Sequence, residues 1–262
     1  MNVDLNNIQN KYPNILKYFR QELKHNVKLP IVDYVLNTNK QMYDHELLGP
    51  NRLPVMISKL DFYLKTLSNE TKFTKLINEM KSSDVKKFLS SYSIAELACY
   101  FKLKDCSIKL FPTFSGKKFK KELDIAFRLE GSRDVYVEVT TPSLAKKLEQ
   151  ETQEVVFVKD RIVGQVKDEY TNQIYPLIKE GMIKSEPIVI ALHCFRTEID
   201  CSELTILYNN KLFDLRAAPK LSAIFCWKES CKLDDDIFLK GEFIENPNAD
   251  NRLSEKEKLL FN

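Results

Sequence analysis

Apolar residues recur at helical spacing through the first third of the chain. Ile8, Tyr12, Ile15, Leu16 and Phe19 fall three and four positions apart, as one buried helix face requires. Met56, Leu60, Tyr63, Leu64 and Leu67 repeat the pattern, with Pro30 and Gly49-Pro50 as punctuation. Residues 1–90 therefore read as a helical N-terminal region. The pattern changes near residue 90. Ser93–Phe101 reads as a compact amphipathic helix, with Ser93 as N-cap and Glu96 as its capping-box partner. Three strand-like segments follow, Ser107–Phe111, Leu123–Leu129 and Val135–Thr140, separated by loops holding Pro112, Gly116 and Gly131. Pro142 closes the third and opens a long helical stretch, in which Ile162, Val166, Tyr170, Ile174, Leu177 and Ile178 keep the period. Pro187–Phe195 is a continuous apolar run of the kind found in a fully buried strand, and Leu221–Trp227 is another. The order helix, three strands, helix, strand predicts an α/β core over residues 91–262. Its first strands should meander and its later crossover should be parallel.

Composition narrows the picture without deciding it. With 262 residues the chain can hold one large domain or a core with a smaller neighbour. Hydrophobic residues at 44% and charged residues at 29% describe a globular protein rather than a disordered one. Six glycines are too few for a turn-rich barrel or sandwich. The net charge of +3 does not by itself imply nucleic acid. Residues 1–90 carry +5 of it and residues 91–262 carry −2. Six cysteines show no CxxC pair, which argues against zinc, and the three histidines at 25, 45 and 193 are scattered. His193, inside an apolar strand, reads as a core histidine rather than a ligand. The N-terminus lacks the apolar run of a signal peptide, and no stretch is long enough for a membrane span. A cytoplasmic location without membrane contact is the default expectation. P-loop, dinucleotide-binding and GxSxG patterns are absent, so nucleotide hydrolysis and serine-hydrolase chemistry have no support.

The informative stretch is Leu123-Asp124-Ile125-Ala126-Phe127, followed by Val135-Tyr136-Val137-Glu138-Val139-Thr140. Each apolar strand contains one acidic residue where a half-buried sheet would ordinarily place a neutral one. A carboxylate withdrawn from water must be paired, protonated or bound to a cation, because desolvating it alone costs several kcal/mol or more. Two on adjacent strands repel each other unless a cation lies between them. Mg²⁺ (or Mn²⁺) prefers such oxygen donors and keeps waters of its own. One of those waters can attack a phosphodiester.

In its order, Glu96 on a helix, Asp124 opening a strand and Glu138-Val139-Thr140 in the next, the chain resembles the PD-(D/E)XK (restriction-endonuclease-like) nuclease superfamily. The resemblance covers roughly residues 90–195. It implies a restriction-endonuclease-like core, a central mixed β-sheet flanked by helices. Asp124 and Glu138 would be its metal ligands, with the Val139 carbonyl as a further one, and Glu96 an assisting carboxylate. It also implies a Mg²⁺-dependent endonuclease acting on DNA in preference to RNA. Cores of this kind often pair to cut two strands, so a homodimer is a further expectation. Two positions depart from the pattern. Leu123 stands where the family has proline, and Thr140 where it has lysine. Thr140 shares the Glu138 side of the strand but carries no charge. In some members a lysine or glutamine from the following helix takes over, which makes Gln165 and Lys167 candidates; Lys120 and Lys121 are an alternative source of charge.

Each residue also has a plainer reading. Asp124 could be a strand-end carboxylate capped by backbone amides or paired with one of the lysines at 117, 118, 120 and 121. Glu138 could sit exposed on an edge strand, Glu96 could serve only its capping box, and Gln165 and Lys167 could be the solvent side of their helix. Lys117, Lys118, Lys120 and Lys121 form either a solvated loop or a contact to backbone phosphates. Two alternatives to the enzyme follow. One is a catalytically inactive nuclease-fold module binding nucleic acid or a protein partner, which Thr140 favours. The other is a regulatory or assembly protein acting through its basic helical region.

Overall fold

The computed structural model describes residues 4–37, 52–116, 120–142, 154–194, 201–202, 218–233 and 236–261. The chain divides into two compact units, Met1–Cys99 and Tyr100–Asn262. Among the described residues no helix is long and apolar enough to cross a membrane.

The first unit is built of helices α1 (Leu5–Lys11), α2 (Pro13–Lys24), α3 (Pro30–Asn37), α4 (Arg52–Leu67), α5 (Phe73–Met80) and the larger part of α6 (Val85–Leu103). The apolar periodicity read from Ile8 to Phe19 spans two helices rather than one, because the chain breaks at Tyr12 ahead of Pro13. Proline is tolerated at a helix start but removes a donor from a helix interior. Asp61 of α4 then fixes the start of α2. Its carboxylate accepts from the Ile15 backbone N–H at 2.7 Å and from the Asn14 amide at 2.8 Å. The predicted capping box at Ser93 does not form. The helix begins eight residues earlier, and Ser93 lies inside it with its hydroxyl donating to the Leu89 carbonyl at 2.9 Å. Apolar residues on every side of this segment let the helix run on through a position that sequence alone marks as a start.

The second unit is a six-stranded mixed sheet, in spatial order β1, β4, β5, β6, β7, β8, with a small two-stranded sheet of β2 and β3 beside it. The strands are β1 (Ser107–Leu110), β2 (Thr113–Ser115), β3 (Lys120–Glu122), β4 (Ile125–Arg128), β5 (Val135–Thr140), β6 (Ile188–His193), β7 (Ala223–Leu233) and β8 (Asp236–Glu245). β1, β4 and β5 run antiparallel as a meander, while β6 lies parallel to β5 and β7 parallel to β6. This is the α/β arrangement expected from the pattern, with additions. The β2–β3 ribbon and the β8 edge strand were not foreseen: the ribbon's strands are three residues each, and β8 mixes polar and apolar residues.

Alternation assigns the two faces of the sheet. On one face Ile188, Ile190 and Leu192 of β6 and Ile224 and Cys226 of β7 pack with Ile162, Val163 and Val166 of α7 (Glu154–Glu169). Tyr136 of β5 packs against the same cluster. On the other face Phe101 stacks on Phe127 at 4.1 Å, and Phe261 meets Phe101, Phe127 and Phe225 edge-on. His193 is buried there and stacks on Trp227 at 4.5 Å. After α7 the helical path does not continue regularly. A π-helical turn, Tyr170–Ile174, leads into the short α8 (Tyr175–Lys179), which carries Pro176 in its first turn.

Two glycines should respond in opposite directions. A Cβ on Gly241 of β8 would fall inside contact distance of the Cys226 carbonyl and 2.9 Å from the Phe225 ring, whereas one on Gly164 of α7 would meet open space. Gly241→Ala should cost about 2 kcal/mol by overpacking, lowering Tm by roughly 4–8 °C. Gly164→Ala should add about 0.5–1 kcal/mol through helix propensity. Thermal unfolding of both variants checks the β7–β8 packing, and equal shifts would contradict it.

Candidate metal centre

β4 and β5 pair with Ile125 opposite Val137, so the next step along the ladder sets Asp124 opposite Glu138. Cross-strand partners share a face, and on β5 that face also carries Tyr136 and Thr140. It is the face covered by α7. Asp124 and Glu138 are therefore cross-strand neighbours on the face that α7 covers.

Glu138 lies in an interior strand, between β4 and β6, and is 8% exposed. The edge-strand reading is thereby excluded. Its Oε2 is buried without a hydrogen-bond partner among the described residues. Burial pushes its carboxyl well above the usual glutamate range, and the negative charges of Asp124 and then Glu169 push it further; the Asp124 backbone N–H and the Lys121 charge act against them. Asp124 is half-buried, and its Oδ2 accepts from the Val139 backbone N–H at 2.8 Å. That bond fixes one carboxylate oxygen across the strand pair.

Around the pair the structure sorts the remaining candidates. Gln165 of α7 donates from Nε2 to the Thr140 hydroxyl at 2.6 Å, so the helix reaches the strand position where the resembled motif has lysine. Lys167, two residues on, is exposed and points away from the sheet, since two residues turn a helix by about 200°. Lys121 of β3 donates from Nζ to the Asn172 carbonyl and to Gln173 Oε1 (3.1 Å) in the π-helical turn. Lys120 is exposed, and Lys117 and Lys118 lie outside the described residues. Glu96 belongs to the first unit. It is 1% exposed, with its Oε1 accepting from the Tyr63 hydroxyl at 2.7 Å and with Tyr92 hydrogen-bonded to it as well.

Glu169 was missed by sequence reasoning. It follows Gln165 by four residues and so shares its helix face. Burial first, and Asp168 second, raise its carboxyl above the usual range, while Lys121 opposes the shift. The i, i+4 spacing from Gln165 was the available signal.

The donor set suits a hard cation that keeps water. Among the described residues no group of three or more His, Cys, Asp or Glu side chains is close enough to hold an ion on protein ligands alone. Mg²⁺ is commonly held by one or two carboxylates and completes its shell with water and phosphate oxygens. Asp124 and Glu138 are the two carboxylates that could hold such an ion.

No protein-family model matches the chain, and no curated protein matches it. Among solved structures, a chain of the CdiA-CT/CdiI toxin and immunity complex from Burkholderia pseudomallei is similar at a TM-score of 0.35 and 11% identity, over 61% of this chain and 89% of that one. A likeness this loose assigns neither family nor activity.

The buried carboxyl has a measurable consequence. With its pKa raised, folded Glu138 holds its proton more tightly than the unfolded chain does. The stability this contributes is complete below the ordinary value of 4.5 and declines as pH climbs from there toward the folded value. Without divalent ions, Glu138→Gln should remove that share of the pH slope. It should also unfold later than the wild type at pH 7.5, by on the order of 1 kcal/mol, or about 2–4 °C. A variant that melts earlier in metal-free buffer would contradict a strained carboxylate at this position.

Proposed function

We propose that the second unit is a divergent PD-(D/E)XK-type core and that the protein is a Mg²⁺- or Mn²⁺-dependent phosphodiesterase acting on DNA. The observation that carries this reading is the orphaned, buried Glu138 oxygen set across the ladder from Asp124. Burying an ionisable group unpaired in an interior strand is costly, and a fold that needed only a sheet would place an apolar residue there. The succession α6, β1, β4, β5, α7, β6 is compatible with the resemblance read from sequence.

A divalent ion at this pair would supply charge neutralisation at the scissile phosphate and a water of lowered pKa. The chain's own residues do the rest. The Val139 N–H holds Asp124 in one orientation, and α7 and the β6 side chains keep bulk water from Glu138, strengthening its electrostatic interactions. Gln165, donating through Nε2 to Thr140, keeps its amide oxygen as an acceptor that can orient a water. Lys120, exposed on the small ribbon, would meet backbone phosphates. Glu96 is assigned no part, since tyrosine hydroxyls already engage its carboxylate.

A second reading draws on one specific observation. The strand position that carries lysine in the resembled motif is filled by a neutral Thr140–Gln165 hydrogen bond, as would suit a core that kept the fold and binds nucleic acid or a protein without cutting. Calorimetric titration of Mn²⁺ and a plasmid-cleavage assay separate the two. The enzyme should bind Mn²⁺ saturably and nick DNA, with Asp124→Asn and Glu138→Gln each losing cleavage by about 10³-fold or more while circular dichroism stays native. Absence of Mn²⁺ binding, or cleavage at the wild-type rate in either variant, would reject the enzyme.

A further inference from the structure

We propose that Lys121 supplies the positive charge that Thr140 cannot, and that Pro176 is the reason it stands where it does; the inference rests on the metal-dependent reading above. The sequence left three lysines, at 120, 121 and 167, and Gln165 as candidates for this role. The structure separates them by what each touches. Lys167 is exposed on the far side of its helix, and Gln165 is neutral and committed to Thr140. Lys121 is tied down at both a backbone and a side-chain oxygen, and its charge acts on both Glu138 and Glu169.

The tether has a cause in the helix. In a regular α-helix the Asn172 carbonyl would accept from the N–H four residues on, but that residue is Pro176, which has none. The chain answers with a π-helical turn, in which the Tyr175 N–H reaches back to the Tyr170 carbonyl, and Lys121 donates to the Asn172 carbonyl. π-turns of this kind are frequent at functional sites. On β3, Lys121 pairs with Phe114 in the ribbon register, and Phe114 packs edge-on against Tyr136 at 5.1 Å, two residues before Glu138 on the same face of β5. The ammonium is thus anchored from the strand side by the ribbon and from the helix side by the turn. It stands beside the carboxylates as a fixed charge, able to meet the non-bridging oxygens of a bound phosphodiester and the negative charge that grows on them during displacement.

Three measurements test this on the full chain. Lys121→Met should lower kcat by about 10²–10³-fold, with KM for DNA changed severalfold at most. It should also tighten Mn²⁺ binding by roughly three- to tenfold, since a neighbouring positive charge no longer repels the ion. In metal-free buffer, the slope of log K for DNA against log salt should shrink by about 1. Thr140→Lys added to Lys121→Met should recover part of the lost kcat by restoring the charge from the strand. Pro176→Ala, which gives the Asn172 carbonyl a backbone donor, should weaken cleavage without removing any charged group. If Lys121→Met cuts at the wild-type rate, or Lys167→Met loses activity while Lys121→Met does not, the inference is overturned and the metal-dependent reading survives. A wild-type protein that neither binds Mn²⁺ nor cuts overturns both.

Discussion

An ionisable side chain in an interior strand is the constraint around which the second unit is arranged. Glu138 has β4 on one side, β6 on the other and α7 above, and among the described residues no donor reaches its buried Oε2. Leaving a buried acceptor unmade costs about 1–3 kcal/mol, and more when the group is charged. That cost is a sizeable fraction of a typical domain's net stability. The surroundings moderate it only in part: one backbone N–H and one lysine favour the charged form, against burial and two neighbouring carboxylates. On the proposed reading, a divalent cation would close the deficit.

Much of this arrangement was legible in the sequence, and the parts that were not have physical causes. Strand alternation put Glu138 and Thr140 on one face, and the apolar runs around Asp124 and Glu138 marked paired strands; the observed register agrees with both. The capping box at Ser93 was misleading because the same four-residue pattern occurs inside a long helix, where a serine hydroxyl bonds to the carbonyl one turn back. Gln165 and Lys167 looked equivalent in sequence, yet a two-residue offset on a helix separates contact from solvent. Glu169 carried no motif, and Lys121 was one of several candidate lysines with nothing in sequence to single it out. Their relevance comes from a π-turn ahead of Pro176 and a three-residue ribbon, features that apolar periodicity does not report.

Pro176 shows how a single backbone defect can be put to use. The helical period of Ile162, Val166, Tyr170 and Ile174 runs straight through the region, and only the missing N–H disturbs it. The Asn172 carbonyl in the π-helical turn accepts from Lys121 of β3. A local rule is broken, and the break links the helix to the strand beside the carboxylate pair. The first unit follows simpler rules, with Asp61 accepting from the start of α2 and Glu96 held by tyrosines in its interior.

The central claim is that Asp124 and Glu138 converge because a cation belongs between them. Anomalous scattering at the manganese edge, from crystals of the wild-type protein grown or soaked with Mn²⁺, addresses it without relying on any substrate. A single strong peak within coordination distance of both carboxylates, absent from Glu138→Gln crystals, is the result expected. Ordered crystals at saturating Mn²⁺ with no peak there, or with the two side chains turned to opposite faces of the sheet, would contradict it.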